Sequence, residues 1–67
     1  MENKQEILNL LLPALQATRN LYDLKSLEFD KEREEVIATF TNGHTKRANV
    51  ALDSGTAMIK DVLKQII

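Results

Sequence analysis

The dipeptide Asn42-Gly43 lies inside the run Glu35 to Leu52, between two segments rich in β-branched and small apolar residues. Both residues tolerate positive φ, so the pair closes a tight hairpin turn, and the side-chain period of two then decides which residues meet a core. A two-residue loop would pair Thr41 with His44 and split the apolar set between the two faces. A three-residue loop, Thr41-Asn42-Gly43 with Gly43 left-handed and forming a bulge, pairs Phe40 with His44, Ala38 with Lys46 and Val36 with Ala48. Val36, Ala38, Phe40, Ala48 and Val50 then share one face. A slip of one residue exchanges the faces completely, so burial selects the second register.

The same parity reaches upstream, where Leu24 to Asp30 alternates and Lys31-Glu32-Arg33-Glu34 forms a charged connection. Pairing Phe29 with Val36 sets Leu27 beside Ala38 and Lys25 beside Phe40. The outer face then holds Ser26, Glu28, Ile37, Thr39, Thr45, Arg47 and Asn49, a mostly polar set that suits an antiparallel sheet wetted on one side.

Two helical patterns supply the cover for the apolar face. Asn3-Lys4-Gln5-Glu6 has the spacing of a capping box, followed by Ile7, Leu8, Leu11, Leu12 and Leu15 at helical intervals, so a first helix is expected from about residue 4 to about residue 20. Pro13 removes a backbone donor and crowds the carbonyl of Asn9, which predicts a kink or a break. Asp53 or Ser54 caps a second helix carrying Met58, Ile59, Val62, Leu63 and Ile66, with Lys60 and Lys64 toward its negative end. The expected fold class is α+β in the order α-β-β-β-α, a three-stranded antiparallel meander with two helices packed on one face. Residues 1–67 read as a single compact domain.

At this length only roughly 60% of the extended-chain surface is buried, which makes cover for the helices a live question. On a wheel of 100° per residue the apolar positions of the first helix sweep roughly 220°, well beyond the stripe a surface helix needs. The second helix takes part of that arc. Leu10, Leu12 and the Ile66-Ile67 end are the candidate self-association residues for a homodimer, against the plainer reading that a kinked helix packs wholly within its own monomer.

Charge directs little, since nine basic and ten acidic residues leave a net charge of −1. Nucleic-acid-binding domains usually carry a basic face; here His44, Lys46 and Arg47 cluster on the third strand and are the candidate nucleic-acid contacts. In the bulged register Lys46 projects to the helix side and Arg47 to the open side, so the two do not form one patch. A lysine on an edge strand also guards against edge-to-edge pairing. On the open face Glu28, Ile37 and Arg47 form a candidate protein contact.

The element order and length resemble a double-stranded RNA-binding domain, as topology over the whole chain. That resemblance implies docking through the first helix, a strand loop and the start of the second helix. The family carries a lysine-rich, alanine-rich run there, whereas this chain has Ser54-Gly55-Thr56-Ala57-Met58 after the acidic Asp53. Without those lysines the phosphate contacts lack their cations. Leu52-Asp53-Ser54-Gly55-Thr56-Ala57 looks like the catalytic turn of aspartic proteases, but that fold needs several further strands after the motif, and only a helical pattern follows. A helix cap is the simpler reading.

No catalytic, metal or cofactor residues are expected. His44 is the only histidine and has no ligand-spaced partner, there is no cysteine, and Glu32, Glu34 and Glu35 form a solvated turn rather than a dry acid-base pair. Tyr22 and Arg19-Asn20 are expected to order the corner between the first helix and the sheet. A domain this small leaves little volume for a pocket of ~300 Å3, so no small-molecule substrate is expected. No segment approaches the ~20 continuous apolar residues of a membrane span, and the first residues do not resemble a signal peptide, so the expectation is a cytoplasmic protein with no membrane association. The expected function is a non-enzymatic protein-interaction, accessory or regulatory module with a protein partner or a second copy of itself. The alternative is a nucleic-acid-binding domain using the 42–47 hairpin. Compact chains of this kind are frequent among phage and mobile-element products, the setting expected here.

Overall fold

The hairpin closes through a three-residue loop. Gly43 takes φ +89°, the Gly43 N–H donates to the Phe40 carbonyl at 2.9 Å, and the Phe40 N–H donates to the His44 carbonyl at 2.8 Å. In this computed structural model, which describes residues 2–66, the order is α1 (Lys4–Gln16), β1 (Leu24–Asp30), β2 (Glu35–Phe40), β3 (Thr45–Asn49) and α2 (Gly55–Ile66). The strands form an antiparallel meander, β1-β2-β3. Val36 pairs with Ala48 and Ala38 with Lys46, while Phe29 pairs with Val36 and Leu27 with Ala38.

One expected pair is corrected. Phe40 lies opposite Leu24, not Lys25, because a bulge at Lys25 shifts the register of β1 between Leu24 and Ser26. Without it Lys25 would point its ammonium into the apolar layer, which is costly for an unpaired charge. The extra residue turns Leu24 into the core and leaves Lys25 exposed.

Leu27, Val36, Ala38, Phe40, Ala48 and Val50 form the inner face of the sheet. They bury Leu8 and Leu15 of α1 together with Met58, Val62 and Ile66 of α2 in one cluster, so both helices lie on the same side. Burying a side chain of this size stabilises by about 1.5–3 kcal/mol relative to leaving it in water.

α1 begins at the expected cap, where Asn3 Oδ1 accepts the Glu6 N–H at 3.0 Å. It runs through Pro13 as one helix, which excludes the break that stood beside a kink as the expectation, and it ends at Gln16 rather than near residue 20. Thr18 stops it: its hydroxyl donates to the Leu15 carbonyl at 2.6 Å and accepts the Leu21 N–H at 3.2 Å. Thr18 thus orders the corner assigned to Tyr22 and Arg19-Asn20 in the sequence, while Tyr22 is 75% exposed.

α2 is capped by Ser54. Its Oγ accepts the Ala57 N–H at 3.2 Å, and its carbonyl accepts the Met58 N–H at 2.8 Å. Glu2 adds a remote cap by accepting the Gly55 N–H at 2.8 Å. Gly55 leaves room for it, since a Cβ there would strike the Glu2 carboxylate and the tip of Ile7. A carboxylate at this end also complements the helix dipole.

Candidate functional site

The two sheet edges are treated differently by the helices above them. β2 uses its even residues to bond β3, as the Phe40–His44 bond and the Val50 N–H donating to Glu34 at 2.9 Å show. Its odd residues turn to β1. The outward backbone groups of β1 therefore belong to Leu27 and Phe29, and of β3 to Thr45, Arg47 and Asn49.

Gln5 of α1 sets its side-chain amide on the β1 edge, accepting the Phe29 N–H at 2.8 Å and donating to the Leu27 carbonyl at 3.1 Å. Gln16 donates to the Leu24 carbonyl at 2.8 Å. On the other side Gln65 of α2 accepts the Asn49 N–H at 3.2 Å and donates to its carbonyl at 3.3 Å. Gln5 and Gln65 each mimic one peptide unit of an absent strand, donating and accepting at once, whereas Gln16 only donates. Sequence reasoning missed all three, because glutamine on a helix carries no signal of the edge it reaches. Among the described residues, none pairs with the outward groups of Thr45 and Arg47.

The open face brings its candidate residues together: Glu28 lies opposite Ile37 and Ile37 opposite Arg47. Arg47 Nη1 also stands 3.2 Å from Glu35 Oε1, an exposed pair worth at most about 1 kcal/mol. The hairpin cations are not brought together. Lys46 Nζ donates to the Ile66 carbonyl at 3.2 Å and sits 5.7 Å from the Phe40 ring centroid, on the helix side of the sheet. Lys46 and Arg47, adjacent in sequence, therefore occupy opposite faces.

The candidate self-association residues divide. Leu10 is 69% exposed on α1, opposite the buried Leu8 and Leu15. Leu12 is half-buried against the core. Ile66 is 1% exposed, so its side chain is spent within the monomer and is removed from the candidate surface. Ile67 lies outside the described residues.

A cleft of about 350 Å3 opens where the chain leaves α1, between the hairpin end and the C-terminal end of α2. Leu21, Phe40 and Ile66 supply its apolar wall, and Asp23, His44 and Lys46 stand around them. Its volume exceeds the expectation for so small a domain.

At the other end Asp53 Oδ2 is buried without a hydrogen-bond partner. Asp61, whose carboxyl can share a proton with that of Asp53, raises the Asp53 pKa above its ordinary 3.8; burial and the Asp61 charge raise it further, and Lys4 draws it back. Among the described residues no group of three His, Asp or Glu side chains is placed to hold a metal ion, and no helix is long and apolar enough to cross a membrane. No protein-family model, curated protein or solved structure matches the chain.

Proposed function

We propose that this protein is a non-enzymatic protein-interaction module that self-associates through the outer face of α1. The observation that carries this reading is the stripe Leu10, Pro13 and Ala14, continued by the C-cap residue Ala17, apolar residues at i, i+3, i+4 and i+7 that are all exposed while the opposite face is buried. A stripe with this spacing suits packing against another helix. Two copies meeting through it bury Leu10 twice, and each buried leucine contributes about 1.5–3 kcal/mol.

Nucleic-acid binding through the hairpin is the weaker alternative, since Lys46 and Arg47 project from opposite faces of the sheet. Phosphate recognition favours cations gathered on one surface.

Sedimentation equilibrium tests the leading reading. The mass should rise with concentration for the natural sequence and stay monomeric for Leu10→Glu, with an unchanged circular dichroism spectrum. A natural protein that remains monomeric to millimolar concentration rules the proposal out.

A further inference from the structure

The free edge of β3 supports a reading independent of the α1 surface. Thr45 and Arg47 present two N–H and two carbonyl groups outward, in the spacing that an added strand pairs with. The β1 edge is held by Gln5 and Gln16, and at Asn49 the Gln65 amide occupies the place of the next peptide unit. We propose that β3 accepts an extended peptide segment with two consecutive acidic residues, which joins the sheet as a fourth strand.

The charge pattern selects this occupant. Side chains of an extended strand alternate between faces, so consecutive acidic residues on the added strand reach Arg47 on the open face and Lys46 on the helix face. Both cations have capacity to spare. Lys46 meets one acceptor of the three its ammonium can serve, and the Arg47 side chain is 48% exposed.

A second copy fits poorly. Pairing Thr45 with Arg47 of its counterpart sets Lys46 against Lys46, a register centred on Arg47 sets Arg47 against Arg47, and one centred on Thr45 runs Arg47 off the strand against the Gly43 turn. Like charges directly opposite are destabilising.

The test titrates a synthetic peptide, Val-Thr-Val-Glu-Glu-Val-Thr, into the full chain and follows the backbone amides by NMR. The Thr45 and Arg47 amide protons should shift and become protected from hydrogen exchange. The counterpart with two lysines in place of the glutamates should bind at least about tenfold more weakly. Two further peptides carry N-methyl groups on alternate sets of residues: one set faces β3 and loses binding about tenfold or more, and the other retains it. Lys46→Glu combined with Arg47→Glu should reverse the preference between the acidic and basic peptides, and Leu10→Glu should leave it unchanged.

Equal binding of the acidic and basic peptides overturns the proposal, as does equal binding of the two methylated peptides, which would mean charge attraction without strand pairing. Shifts of Thr45 and Arg47 on dilution of the protein alone would assign the edge to a second copy. Stronger shifts with a short DNA duplex than with the acidic peptide would assign it to nucleic acid. Either result removes the peptide reading.

Discussion

Gln65 holds the edge of β3 at Asn49, its amide oxygen accepting the N–H at 3.2 Å and its amide nitrogen donating to the carbonyl at 3.3 Å. Gln5 does the same for β1 from the other helix, across the N–H of Phe29 and the carbonyl of Leu27. Paired side-chain amides are a way to blunt an open sheet edge, and they tie each helix to the strand beneath it.

The two amides should differ in value, because the Gln5 bonds are partly buried and the Gln65 bonds are exposed to water. Gln5→Ala strands a donor and an acceptor and should cost about 1–3 kcal/mol, whereas Gln65→Ala should cost less than about 1 kcal/mol. Urea denaturation of both variants checks the order, and a larger loss from Gln65→Ala contradicts it.

Leu8 and Leu10 stand two residues apart and on opposite faces of α1. Leu8 is fully buried, so Leu8→Ala should cost about 2–5 kcal/mol, a large share of what a domain of this size possesses. Leu10→Ala, measured in dilute solution, should stay within about 0.5 kcal/mol of the natural sequence. Equal effects on the unfolding midpoint would contradict this division of the helix.

Leu52 holds φ +65° while 96% exposed, so its side chain gains nothing from burial and its backbone is strained. Leu52→Asn should raise stability by about 0.5–1 kcal/mol, since asparagine accepts the left-handed region more readily. Gly43→Ala should do the reverse and lose about 1 kcal/mol, because the hairpin loop requires positive φ there. Thermal midpoints moving about 4 °C or more per kcal/mol would register both changes.

The Asp53–Asp61 contact makes stability depend on pH. Asp53 has a raised pKa in the folded protein, so the folded state holds its proton more tightly than the unfolded chain does. Its contribution to stability is therefore greatest in acid and falls as pH rises from 3.8 through the raised value. Asp61→Asn removes the like charge and offers an amide donor to the unpartnered Asp53 Oδ2. The variant should be more stable than the natural protein at pH 7, with the difference shrinking toward about pH 3, where carboxyls carry protons. Urea midpoints across that range check the sign, and a variant less stable at pH 7 contradicts it.

Elements whose signal is local were legible in the chain. Asn3 with Glu6, Ser54 at the start of α2 and Gly43 in the hairpin all act within a few residues, and each holds its expected place. Of the site candidates, Glu28, Ile37 and Arg47 form the expected row because strand parity alone arranges them. Ile66 looked like spare apolar surface and proved to be core, since periodicity marks a residue as apolar without saying which neighbour covers it.

The register of β2 on β3 and the two faces of the sheet follow from residue parity along the chain alone. A one-residue slip would bury Arg47 and expose Val36, a difference too large for any other term to offset. Contacts between groups far apart in the chain arise only in the packed fold. Glu2 caps Gly55 across 53 positions, Gln5 reaches Leu27 and Phe29, Lys25 is bulged out so that Leu24 can turn in, and Asp53 meets Asp61. Those outcomes rest on distances and burial that exist only once both helices have settled on the sheet, and they leave Thr45 and Arg47 as the one stretch of β3 edge that no described residue covers.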